Sequence, residues 1–267
     1  MNKIITIDEM REIQLKMLND IHQFCVSNNI RYSLSGGSLI GAVRHHGFIP
    51  WDDDVDLMMP RPDYERFVNS YETDCYKVIT YKNNQSYHFP FAKVYDNRTI
   101  LIEDYSCNGV YIDIFPVDGL PESKEETNDM IKKVSKLSAY DLYFASDTYK
   151  FQEGNKMILR LKHLIKKIIV PNRNTTINRI EEICKKHKFG STDFAGVLVW
   201  GYGLKEHLQS FVFKSYQEME FEGIICMCIS NYDIYLSSLY GKYMELPPLE
   251  EQVSHHKYKV FWKDNHN

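Results

Sequence analysis

The sequence predicts a mixed α/β fold of the α+β kind, a mixed sheet flanked by helices. Three observations predict it: a capped amphipathic helix opens the chain, short apolar runs punctuated by glycine and proline follow, and beyond Pro121 the pattern turns largely helical. The same seam divides the chain into a mixed core over residues 1–120, a mainly helical region over 121–215, and C-terminal strands, helix and tail over 216–267 that complete the core. With no internal repeat and no low-complexity linker, a single compact unit is expected.

Thr6-Ile7-Asp8-Glu9 is a capping box, a threonine with a glutamate three residues on. It starts a helix that Met10, Ile13, Leu15, Met17, Leu18, Ile21 and Phe24 carry to about Asn28. Ile30 to Ser35 reads as a short strand, Gly36-Gly37 break it, and Ser38 to Arg44 reads as a short helix before a loop from His45 to Pro50. Asp54 to Met59 has strand character and Pro60 stops it. Pro62 with Asp63 and Glu65 suits the first turn of a further helix. Four strand-like runs follow: Tyr76 to Tyr81, Phe89 to Tyr95, Thr99 to Asp104 and Gly109 to Phe115. Asp96-Asn97-Arg98 reads as a hairpin turn, and Pro116 and Pro121 bracket a connection. Lys124 to about Tyr149, Asn155 to Val170 and Thr176 to Lys188 are helical patterns. Ala195 to Val199 and Gln217 to Cys228 return to strand character, the latter turning at Glu222-Gly223. Tyr232 to Tyr240 is a last helix, and Pro247 to Asn267 reads as an irregular polar tail.

Composition narrows the function. A net charge of -4 and a pI of about 6.2 argue against a nucleic-acid partner, which a basic excess would favour. No run approaches the ~18 apolar residues of a membrane span. The charges in MNKIITIDEMREIQ sit where a signal peptide is apolar, so a cytoplasmic protein is expected. Cys25, Cys75, Cys107, Cys184, Cys226 and Cys228 show no paired C-x2-C framework and read as reduced thiols. Lys156 to Val170, KMILRLKHLIKKIIV, is either a solvated basic helix or a peripheral contact with the inner face of a membrane.

The densest chemistry lies in LSGGSLIGAVRHHGFIPWDDDVDLMMP, Leu34 to Pro60. In a strand, Asp54 and Asp56 share one face while Val55 and Leu57 turn to the core. Paired carboxylates suit a hard divalent cation, Mg²⁺ or Mn²⁺, which takes one or two from protein and the rest of its shell from phosphate and water. The alternative is a solvated acidic turn. Asp52 and Asp53 are open between capping, support behind the pair, and exposure. Ser35-Gly36-Gly37-Ser38, between strand and helix, offers backbone N–H groups, close approach and the Ser38 hydroxyl to a phosphate. Such a turn alone is common; followed by D-x-D, it becomes half of one metal–phosphate site. GVYIDIF carries one acid, Asp113, costly in an apolar strand unless paired or metal-bound. It reads as a third metal-site acid and candidate base, or as an aspartate satisfied by backbone or an arginine. Lys93, in FPFAKVYD, faces either a phosphate or solvent.

Together, GGSLIGAVRHHGFIPWDDDVDL, FAKVYDNRTILIE, YIDIFPVDGLP and YDIYLSSLYGKYMELPP resemble the LicD family, whose founding members are phosphocholine transferases. The resemblance runs from about Thr6 to His256, loosely between Pro121 and Gln217, and is most specific in the first block. It implies a nucleotidyltransferase-like fold. It also implies transfer of a substituted phosphate from a CDP-alcohol donor, CDP-choline favoured, to a sugar hydroxyl of a surface or lipid-linked glycan, releasing CMP. The related fukutin group uses CDP-ribitol on a glycan. By motif it implies Gly36, Gly37 and Ser38 as the phosphate-contacting turn, Asp54 and Asp56 as metal ligands and Asp113 as the third acid. Arg44 and Lys93 fall in family blocks and are assigned to donor binding. Lys242 in YGKYM departs from the acid expected in many relatives, and His255 and His256 fall near a family histidine. Two other readings use the same parts: a nucleotidyltransferase adding NMP to a small molecule, and a non-catalytic nucleotide or metal sensor. Aromatic residues gather at Tyr87, Phe89 and Phe91 and at Trp200 and Tyr202, but no cage for a quaternary ammonium can be named from sequence.

Overall fold

The computed structural model describes residues 3–84, 87–102, 109–145, 173–253 and 259–263. The capping box forms as expected. Thr6 Oγ1 accepts the Glu9 N–H at 3.2 Å and the Glu9 carboxylate accepts the Thr6 N–H at 2.9 Å, starting α1 (Ile7–Ser27). Its apolar stripe, from Met10 through Ile21 to Cys25, is buried. Its polar edge grips a loop. The Arg11 guanidinium donates to the carbonyls of Pro50 (3.0 Å) and Asp52, and buried Gln14 donates to the carbonyl of Asp53 at 3.1 Å. α1 thus supplies donors to the aspartate-bearing loop before its strand begins.

β1 is short (Ser33–Leu34). The strand ends before Gly36-Gly37 as expected, but the helix starts at Gly36 instead of Ser38: the two glycines form its first turn, because Gly36 at φ +50 absorbs the change of direction. α2 (Gly36–Ile40) then runs into a π-helical turn, Gly41–His45. β2 (Asp56–Pro60) starts two residues later than expected, so Asp54 sits on the approach to the strand. α3 (Arg61–Ser70) follows with Pro62 in its first turn.

β3 (Tyr76–Ile79), β4 (Ala92–Asp96), β5 (Thr99–Ile102) and β6 (Tyr111–Leu120) come next. The main sheet runs β1-β2-β6-β4-β3; β7 (Phe194–Gly196) joins the far half of β6, and β8 (Leu208–Gln209) joins β7, making seven strands. β2 and β6 are parallel and the other pairs antiparallel. The buried Arg61–Asp118 pair, with contacts of 2.7 and 2.6 Å, ties the start of α3 to β6.

Three expectations are corrected. Asp96-Asn97-Arg98 is a turn but not a hairpin: β3 and β6 occupy both edges of β4, so β5 leaves the sheet and pairs with β11 (Lys259–Trp262). The tail is therefore not wholly irregular. Pro116 lies within β6 instead of opening a connection. Asp113 turns its N–H to the Val55 carbonyl on the β2 side, while the Val110 carbonyl takes the Asp96 N–H on the β4 side. By alternation Pro116 faces the β4 side, past the last pair Ala92–Ile114, where its missing N–H costs no ladder bond.

α4 (Lys124–Ala145) and α5 (Arg173–Cys184) pack together. The helix expected over 155–170, the end of the 124–149 pattern, Cys107, His255 and His256 lie outside the described residues. β9 (Tyr216–Phe221) and β10 (Ile224–Ile229) form the expected hairpin, with Glu222 and Gly223 at φ +50 and +76. It docks beside β1: the Met227 N–H donates to Tyr32 Oη at 3.1 Å and the Ile229 N–H to Ser33 Oγ at 2.9 Å. α6 (Tyr232–Tyr240) has the expected bounds. No helix among the described residues is long and apolar enough to cross a membrane, and the five described cysteines are free thiols.

Candidate active site

Strand register assembles the site. Asp56 of β2 and Lys93 of β4 both stand opposite Asp113 of β6, and the Ser35 N–H, just past β1, donates to the Asp56 carbonyl at 2.9 Å. Opposed residues point to one face, so Ser35, Asp56, Asp113 and Lys93 form a row across four strands. With Gly36 and Asp54 they line a cleft of about 310 Å³.

The row is electrostatically crowded. Burial first, then the neighbouring charges of Asp54, Asp113 and Asp52, push the Asp56 carboxyl well above the usual range, with Lys93 pulling the other way. Hard oxygen donors held against their own repulsion fit a divalent cation. Among the described residues no group of three or more His, Cys, Asp or Glu forms a ready-made metal cage, so a metal here would complete its shell with substrate and water.

Lys93 is only 3% exposed, which excludes the surface-lysine reading. Its Nζ lies 2.9 Å from Asp113 Oδ1 and 3.4 Å from the ring centre of Tyr111, with Phe89 at 4.9 Å and Phe91 at 5.8 Å. Asp113 is therefore ion-paired across the strands.

The glycine turn gives the carboxylates room. A Cβ at Gly36 would stand 3.3 Å from Tyr240 Oη and 3.7 Å from Asp56 Oδ2, and one at Gly37 only 2.8 Å from Asp52 Oδ2. Ser38 Oγ accepts the Asp56 N–H at 2.9 Å, bracing the start of β2. Arg44 is not brought to the cleft. Its Nη1 donates to the carbonyls of Tyr243 (2.6 Å) and Glu245 (3.2 Å), pinning the segment after α6.

Trp200, Tyr202, Glu206 and Tyr235 also line the cleft; along the sequence Trp200 and Tyr202 read only as neighbouring aromatics, and Glu206 and Tyr235 are missed. Burial pushes the Glu206 carboxyl up to about 7, against the pull of the Val197 and Tyr202 N–H groups. The Tyr202 and Tyr240 hydroxyls hydrogen-bond each other, and Tyr235 Oη lies 3.1 Å from Ser35 Oγ. The one local signal is an aromatic pair interleaved with glycines, Trp200-Gly201-Tyr202-Gly203.

The profile described as LicD/FKTN/FKRP, nucleotidyltransferase domain, matches residues 29–154, which hold Gly36, Gly37, Ser38, Arg44, Asp54, Asp56, Lys93 and Asp113. The lipopolysaccharide cholinephosphotransferase LicD of Haemophilus influenzae is 30% identical over 267 residues, covering 95% of this chain and 97% of that protein. The chain belongs to the LicD family. Within it, ribitol 5-phosphate transferase FKRP of Homo sapiens is 30% identical over 87 residues, 33% of this chain and 17% of that protein. An uncharacterized protein of Rickettsia prowazekii is 44% identical over 48 residues, 18% of each chain. The mixed sheet carries the LicD nucleotidyltransferase domain, and the chain is a LicD-family phosphotransferase, a transferase of substituted phosphate groups.

Proposed function

We propose that this LicD-family protein moves phosphocholine from CDP-choline to a sugar hydroxyl of a cell-surface polysaccharide, lipopolysaccharide or teichoic-acid-type glycan, releasing CMP with the help of Mg²⁺ or Mn²⁺. The observation that carries the proposal is the row Asp56, Asp113, Lys93 with Asp54 alongside: crowded carboxylates beside a buried ammonium. Similarity along nearly the whole chain to a lipopolysaccharide cholinephosphotransferase supports phosphocholine and a glycan acceptor. Similarity to a ribitol 5-phosphate transferase keeps other CDP-alcohols in the test.

Asp54, Asp56 and Asp113 would hold the cation, which when bound supplies positive charge to the phosphate oxygens and the leaving CMP. Lys93 adds a fixed positive charge from the protein. Asp113 accepts the proton of the acceptor hydroxyl as its oxygen attacks phosphorus in line. The new O–P bond forms as the bond to CMP breaks, and CMP keeps that electron pair. The Gly36-Gly37 turn lets phosphate approach the backbone. We place the reaction in the cytoplasm, at or near the inner face of the membrane; the free thiols fit a reducing compartment.

The test is incubation with CDP-choline, CDP-ethanolamine, CDP-glycerol or CDP-ribitol, Mg²⁺ and a crude glycan acceptor. CMP release with phosphocholine on the glycan is the expected outcome. Pyrophosphate with a nucleotidylated product identifies nucleotidyltransferase chemistry instead, and saturable binding without turnover identifies a sensor. Asp54→Asn should abolish CMP release with the fold intact.

A further inference from the structure

We infer that Trp200, backed by Phe89 and Phe91, is the wall that selects a quaternary ammonium on the donor alcohol; the inference rests on the phosphotransferase reading above. The Trp200 ring centre lies 5.5 Å from that of Phe89 and 5.8 Å from that of Phe91, and Phe91 lies 4.6 Å from Phe115. All four line the cleft that holds the acid row.

This wall already accommodates a cation. The Lys93 ammonium, 2.9 Å from Asp113, also lies 4.9 Å from the Phe89 ring centre and 5.8 Å from that of Phe91. The acid row and the rings are therefore within reach of one side-chain nitrogen. A phosphate held by Lys93 and by a cation on the acid row would leave an ammonium two carbons away within reach of the rings. The chemistry of the wall discriminates. Phenylalanine rings offer no hydrogen-bond partner to a polyol hydroxyl, which loses water there. A trimethylammonium has no hydrogen bonds to lose and is attracted to ring faces.

Trp200 is not explained as core. It is 48% exposed and held at φ +57, a conformation unfavourable for a bulky side chain. The loop around it is over-determined. A Cβ at Gly201 would stand 2.4 Å from the Val197 carbonyl, and Glu206 accepts from the Val197 N–H while drawing in that of Tyr202. Glu206 is thus a positioning residue for the ring, and the strain persists where the ring meets the cleft.

The test compares wild type, Trp200→Phe and Trp200→Ala in kcat and KM for CDP-choline and CDP-glycerol. Calorimetric titration with phosphocholine and with glycerol 3-phosphate is a second readout, and thermal melts check folding. The expected result is a wild-type preference for CDP-choline that falls about tenfold in Trp200→Ala, through KM, and is largely kept in Trp200→Phe. A wild type that prefers CDP-glycerol, or a preference untouched by Trp200→Ala, overturns the inference and leaves the phosphotransferase reading standing. A wild type inactive on every CDP-alcohol overturns that reading, and calorimetry then decides for the wall. Phosphocholine binding weakened in Trp200→Ala supports it; absent or unaltered phosphocholine binding overturns it.

Discussion

Lys93 and Asp113 face each other across β4 and β6 with Nζ 2.9 Å from Oδ1, and the lysine is almost fully buried. Removing one partner of such a pair strands the other charge. Lys93→Met should therefore lower the free energy of unfolding by about 3 kcal/mol, read by urea denaturation in chelator. Lys93→Met combined with Asp113→Leu should regain most of the loss, because no carboxylate is stranded. A double variant as unstable as the single one would remove the pair as the cause.

Asp56 carries its charge against burial and three neighbouring acids. Its folded-state pKa is raised, so its favourable contribution is present at low pH and is lost as pH rises through that value. Asp56→Asn should stabilise the metal-free protein, and by more as pH rises. The same change should cut CMP release at least about a hundredfold. It should also shrink the rise in melting temperature that Mg²⁺ produces in wild type. Destabilisation in chelator, or full activity, contradicts this account.

Gly36 and Gly190 both have positive φ, +50 and +84, but a Cβ would meet neighbours within 4 Å only at Gly36, namely Tyr240 Oη and Asp56 Oδ2. Each alanine substitution should cost about 1 kcal/mol from backbone strain. Only Gly36→Ala should also raise KM for the donor. Equal KM effects at the two positions would separate the turn from donor binding.

Glu206 has its carboxyl pushed up to about 7 from 4.5 by burial. Between those values the unfolded chain is ionised while the folded protein holds the proton, so stability falls as pH rises from 4.5 to about 7. The group's share of that fall is on the order of 3 kcal/mol. Glu206→Gln should flatten the profile of unfolding free energy against pH across this window. An unchanged slope would show that Glu206 ionises normally.

Much of the site is local chemistry and hence visible along the chain. Asp54 and Asp56 are marked by their apolar anchors Val55 and Leu57, and Asp113 by its isolation in an apolar run, because periodicity and the cost of burying charge are short-range signals. Lys93 stays open between phosphate and solvent along the chain, because one lysine in a strand does not reveal what covers it. Arg44 sits in a motif block, yet its guanidinium is taken by carbonyls about two hundred residues on. The hairpin expected at Asp96-Asn97-Arg98 fails for a similar reason: turn residues show that the chain bends, not which edges of a strand are free.

By itself the sequence determined the capped first helix, the Glu222-Gly223 hairpin, the apolar strands and the acid pair behind a glycine turn. Each depends on the preferences of residues a few positions apart. Tertiary structure decided the rest: that Asp56, Asp113 and Lys93 share a row, and that Trp200, Glu206 and Tyr235 line the same cleft. A slip of one residue in any of those strands would turn its side chain to the other face, and register is set by how the whole core packs.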